Sequence, residues 1–140
     1  MKNLKAIAIA SILTGIAVAG HAQQMTQSDL QSKGATLVAK DDLATLVKGA
    51  TLMWTTASGG QSQLKFGDDG SIAGNTRNSG RAGKGVDVSG TWQVTNDGKL
   101  CQAQVVRGQT NKICWAVSKL GDKYYYTGFT GSVGELDIRK

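Results

Sequence analysis

Downstream of Gly49 the chain alternates short runs of period two with glycine-bearing turns, and this spacing constrains the fold more than any other feature. The runs Thr51–Thr56, Gln61–Phe66, Ser71–Thr76, Thr91–Thr95, Lys99–Val106, Lys112–Leu120 and Lys123–Phe129 read as strands. Between them stand Ser58-Gly59-Gly60, Asp68-Asp69-Gly70, Asn96-Asp97-Gly98, Arg107-Gly108 and Gly121-Asp122, all of them turn chemistry. Connections this short join antiparallel neighbours, so the expectation is a mainly β meander of about seven strands. Such a sheet buries its apolar face only by curling into a small barrel or by being covered. Trp92 and Val94 share one face of their strand, as do Ile113, Trp115 and Val117 on theirs, leaving each strand one wet face. All eight aromatic residues fall between Trp54 and Phe129, which places the core in the strand region.

Upstream lies one short helix in AKDDLATLVKG. Asp41 or Asp42 can cap it, Leu43, Leu46 and Val47 stand at helical spacing, and Gly49 can end it. Residues 23–40 are polar and unpatterned and read as a loose N-terminal segment. Residues 1–22 have the form of a secretory signal peptide. Lys2 and Lys5 precede the 14-residue apolar run Ala6–Ala19, and Gly20-His21-Ala22 supplies small residues before a cut after Ala22. That run is short of the roughly 20 residues a spanning helix needs, so no membrane span is expected after cleavage. The expected organisation is a signal peptide over 1–22, the loose segment over 23–40 and a single disulfide-bonded β-domain over 41–140, exported to the periplasm or the medium.

Cleavage alters the chemistry on offer. It removes His21, the only histidine, and with Lys2 and Lys5 gone the net charge falls from +6 to +4. Without an imidazole, a Ser-His-Asp or Cys-His mechanism has no base. A Ser-Lys or Tyr-Lys arrangement stays open on residue types. The adjacent acids Asp68 and Asp69 sit at a turn and are not held across a cleft as a glycosidase pair is. A non-enzymatic protein without cofactor or metal is therefore the expectation. The surplus charge gives a weak bias towards anionic envelope components or an acidic protein, and is well short of a nucleic-acid binder.

Two cysteines in an exported chain point to one disulfide. A two-residue hairpin at Arg107-Gly108 pairs Val106 with Gln109 and hence Cys101 with Cys114, at a separation a disulfide accepts. The chain-entropy model gives such a closed loop about 3 kcal/mol.

Two further candidates concern binding. Gly74–Gly85 sets Arg77, Arg81 and Lys84 among glycines, a candidate anion-binding loop built from backbone N–H groups and cations. It lacks the P-loop pattern, and a hairpin connection kept soluble by its charges accounts for the same residues. Tyr124, Tyr125 and Tyr126 form a candidate aromatic surface for sugars or a partner protein, or else close the barrel end.

The ordered motifs Gly49-x-Thr51, Phe66-x-x-Asp69-Gly70, Gly90-x-Trp92-x-Val94, Asp97-Gly98, Leu100-Cys101, Cys114 and the tyrosine strand resemble a family of small exported bacterial proteins, the domain of unknown function 995, over roughly residues 41–128. The resemblance implies export, a disulfide and a compact β-fold, and it carries no activity or site residue. The functional expectation is an exported binding or interaction module of unknown ligand, an anionic or saccharide envelope component being the leading class. The alternatives are an inhibitor of an extracellular enzyme, which at this charge needs an acidic target, and a calycin-like carrier of a small apolar ligand. The carrier demands a cavity that a barrel filled by Trp54, Trp92 and Trp115 lacks.

Overall fold

A computed structural model describes residues 24–56, 58–77 and 85–140. Residues 1–22, read as a signal peptide and including His21, lie outside the described residues, as do Arg81 and Lys84. The elements in order are α1 (Gln27–Ser32), β1 (Thr36–Leu37), α2 (Lys40–Val47), β2 (Thr51–Thr55), β3 (Gln61–Phe66), β4 (Ser71–Arg77), β5 (Val86–Val94), β6 (Leu100–Val106), β7 (Gln109–Leu120), β8 (Lys123–Thr127) and β9 (Val133–Arg139).

Strands β2 to β9 pair antiparallel in sequence order, and β9 returns to pair with β2. The result is a closed up-and-down barrel of eight strands, and closure removes the sheet edges that lysines would otherwise have to protect. The seven expected strands become nine. β9 carries only a short period-two signal, with Leu136 and Ile138 facing one way and Glu135, Asp137 and Arg139 the other. β5 starts at Val86, earlier than expected, because Val86–Gly90 is weakly apolar and follows a glycine-rich stretch.

The Arg107-Gly108 turn has the anticipated geometry. Both residues adopt positive φ, 50° and 78°, as a type I′ hairpin requires. Val106 pairs with Gln109 and Cys101 with Cys114, and the two cysteines are bonded, with their Cα atoms 4.0 Å apart. The bridge sits on the outer wall, since the neighbouring Leu100, Gln102 and Trp115 are the buried positions. At Gly90, in mid-β5, φ is +152° and a Cβ would run into the carbonyl oxygen of Ala103, so the wall bends there around a position only glycine fills without strain.

Helix α2 plugs one end of the barrel. Leu43 and Val47 join the main core cluster together with Leu52, Leu64, Phe66, Ile72, Leu100 and Leu136. Lys40 Nζ donates to Asn96 Oδ1 on the β5–β6 turn (2.9 Å), and Lys140 Nζ donates to the carbonyl of Thr45 (2.8 Å). The helix begins at Lys40 without a side-chain cap, so Asp41 and Asp42 act in its first turn, where carboxylates oppose the helix dipole.

Residues 23–40, expected to be loose, carry α1 and β1. A capping box starts α1: the Asp29 N–H donates to Thr26 Oγ1 and the Thr26 N–H to Asp29 Oδ2. The Thr26 N–H and then the Thr26 hydroxyl, which also donates to Asp29 Oδ2 (2.7 Å), hold the Asp29 carboxyl below its ordinary range. Leu30 is buried, Thr26 bridges to Ser132, and β1 pairs with Ser118 and Lys119 at the far end of β7. With only Leu30 apolar, α1 offered no periodicity to read. No helix among the described residues is long and apolar enough to cross a membrane.

Candidate functional site

Each strand of the barrel has an inner and an outer row, and the two rows differ in kind. Inside, Trp54 meets Trp115 edge to face and Trp115 stacks on Tyr126, with ring centroids 4.8 Å apart in both pairs. Trp92 tilts against Phe66 at 5.9 Å and its indole N–H donates to the carbonyl of Gly67. Tyr126 donates its hydroxyl to the carbonyl of Thr55 (2.9 Å), and its burial raises the phenol above its ordinary pKa. A Cβ at Gly134 would stand 2.5 Å from the Tyr126 ring, so the ring occupies the space over that glycine. Eight strands enclose an interior that side chains can fill, and here aromatic rings fill much of it.

Nearer the end opposite α2 the interior turns polar. Ser62 Oγ lies 3.0 Å from Thr76 Oγ1, and Gln104 Nε2 donates to Gln102 Oε1 (2.7 Å). Gln102 is 2% exposed and its Nε2 has no partner among the described residues.

The outer rows of β9, β2, β3, β4 and β5 form a groove of about 1170 Å³. Alternation puts Asp137, Met53, Gln63, Asn75 and Asp87 in one line across these strands, since each is the register partner of the next. Neighbouring lines add Gln61 opposite Arg77, and Lys65 opposite Ala73. Asn75 Nδ2 donates to Asp87 Oδ1 at 3.4 Å. At the β9 margin the carboxylates are already engaged, Glu135 with Lys123 (3.1 Å) and Asp137 with Arg139 (2.7 Å). The Glu135 hydrogen bond is the main reason Lys123 titrates above its ordinary value. Lys65 and Arg77, both exposed, make no ion pair among the described residues.

Alternation sends Tyr124 and Tyr126 to one side of β8 and Tyr125 to the other, so the candidate aromatic surface does not hold all three. Tyr126 is in the core, Tyr124 packs against it under the Lys119 ammonium (5.8 Å), and Tyr125 alone turns outward, opposite Glu135. Of the three cations assigned to an anion-binding loop, Arg77 lines the groove, while Arg81 and Lys84 lie outside the described residues. Sequence reading missed Gln61, Gln63 and Asn75, which only the register of adjacent strands brings together. The signal lay in their alternation with Ser62, Leu64 and Gly74. The β8–β9 hairpin also exposes Phe129 completely at its tip, where Gly128 and Gly131 close the turn. No group of three His, Cys, Asp or Glu side chains able to hold a metal occurs among the described residues.

No curated protein and no solved structure matches the chain. Residues 12–121, most of its length, match one family, and by that match the chain belongs to the family described as Protein of unknown function (DUF995).

Proposed function

We propose that this protein is an exported, non-enzymatic binding module that holds a saccharide component of the cell envelope in the groove over β9, β2, β3, β4 and β5. The observation that carries the reading is the makeup of that groove. Gln63 and Asn75 are register partners on adjacent strands, about 4.8 Å apart, Gln61 stands two residues along β3 on the same face, and Met53 adds an apolar patch beside Gln63. Side-chain amides donate and accept at once, which suits a ligand made of hydroxyls, and the rigid barrel wall holds them in place before binding. The aromatic filling of the interior speaks against a carried apolar ligand. The form of residues 1–22 supports export, and the disulfide is compatible with an oxidising compartment.

Frontal affinity chromatography on immobilised envelope glycans tests the proposal. Retention of the protein, lost in Gln63→Ala/Asn75→Ala with the fold intact by near-UV circular dichroism, is the expected result. Unchanged retention of the double variant would remove the groove from consideration.

One observation favours a second reading, an inhibitor of an extracellular enzyme. Phe129 stands fully exposed on a turn closed by two backbone hydrogen bonds, a shape that can enter an apolar pocket of an acidic protein. Co-purification of a stoichiometric protein partner, abolished by Phe129→Ser, would support it.

A further inference from the structure

The free charges of the groove specify more than a polyol. Of its three carboxylates, Glu135 and Asp137 face cations of their own chain, while Asp87 takes the Asn75 amide. Its two cations, Lys65 and Arg77, have no such partner among the described residues. They stand on neighbouring strands towards opposite ends. Lys65 is four residues from Gln61, and Gln61 is the register partner of Arg77, so their Cα atoms are roughly 14 Å apart at ~3.3 Å per residue and ~4.8 Å per strand. Gln63 and Asn75, also register partners, lie between them.

From this arrangement we infer that the ligand is an acidic oligosaccharide, a chain of sugars bearing carboxylates, that lies along β3 and β4 with separate carboxylates at Lys65 and Arg77 and its hydroxyls on Gln63 and Asn75. At this separation each cation can meet a carboxylate of its own, so the site suits charge spaced along a polymer. The guanidinium of Arg77 can take a carboxylate in two parallel hydrogen bonds, while Lys65 contributes a point charge. Asp87, held by Asn75 on the β5 side, disfavours a ligand that spreads its negative charge across the strands instead of along them. This inference rests on the groove being the binding face, and it adds the charge and direction of the ligand.

The test compares one sugar skeleton in two charge states. An oligogalacturonate hexamer and its fully methyl-esterified form are titrated into the protein by isothermal calorimetry at low and at physiological ionic strength. The free acid should bind at least about fivefold more tightly than the ester, two exposed charge pairs being worth about that much. The difference should shrink with salt and disappear in Lys65→Gln/Arg77→Gln. Lys112→Gln, which removes an exposed cation of β7 outside the groove, should change nothing, and an equal loss there would mean unspecific attraction and overturn the inference. Equal affinity for acid and ester would also overturn it while leaving the groove as a neutral glycan site, and binding of neither form would overturn both.

Discussion

The inner and outer faces of the wall formed by β2, β3 and β4 are made by the same residues in alternation, yet they do opposite things. Leu52, Trp54, Leu64, Phe66 and Ile72 face inward and are buried with the core. Met53, Gln63, Lys65, Asn75 and Arg77 face outward and line the groove. An eight-stranded barrel has room inside for packed side chains or for one small ligand, and here the rings of Trp54, Trp115 and Tyr126 take it for the core. Under the proposed function recognition falls to the outer row, where side chains cost little stability and are free to be polar. Stability and binding should therefore separate cleanly by residue parity.

The largest effect lies inside. Trp115→Ala removes a ring in contact with both Trp54 and Tyr126 and should cost about 3–5 kcal/mol in urea unfolding. Gln63→Ala on the outer row should stay within about 0.5 kcal/mol, and a comparable loss there would break the division. The Cys101–Cys114 bond should come next. Reduction, or Cys101→Ser/Cys114→Ser, should lower stability by about 3 kcal/mol without altering groove affinity, since the bridge is on β6 and β7.

The polar part of the interior gives a finer test. In Gln102→Leu the Gln104 amide loses its acceptor and is left buried, which should cost about 1–2 kcal/mol, whereas Gln102→Leu/Gln104→Leu should recover most of that loss because neither polar group remains. A double variant no more stable than the single one would mean that the glutamine pair serves something other than packing.

The smallest effect is pH-dependent. Burial raises the Tyr126 phenol above its ordinary 10.0, so the folded state holds that proton more tightly than the unfolded chain. The associated stability is complete below pH 10.0 and is lost as pH rises from there through the raised value. Tyr126→Phe should cost about 1 kcal/mol at neutral pH through the lost bond to the Thr55 carbonyl. The gap between parent and variant should then narrow in alkaline chemical denaturation.

How much of this was legible in the sequence depends on whether the signal is local. Turn chemistry and period two are local, so the Arg107-Gly108 hairpin, its register and the Cys101–Cys114 pair could be derived from residue order. The tryptophans could be assigned to the core because each shares a face with aliphatic neighbours. The groove could not be read that way. Gln63 and Asn75 are ordinary wet-face residues, and their adjacency arises from the β3–β4 register, while Asp137 joins them only when β9 closes on β2. The tyrosine run is half legible for the same reason: period two separates Tyr125 from Tyr124 and Tyr126, but only closure of the barrel sets which side is inward, and it is the pair that faces the interior. α1 was missed because a capping box of Thr26 and Asp29 stabilises a helix that has a single apolar anchor, Leu30.

The central claim, that the barrel binds on its outside and packs on its inside, is tested most directly by amide and indole chemical-shift mapping during titration with the acidic oligosaccharide. The account predicts shifts gathered at Gln61, Gln63, Lys65, Asn75, Arg77 and Asp87, with the Trp54 and Trp115 indole signals and the Gln102 side-chain amide unmoved. Shifts centred on those two indoles and Gln102, with the outer row silent, would contradict it.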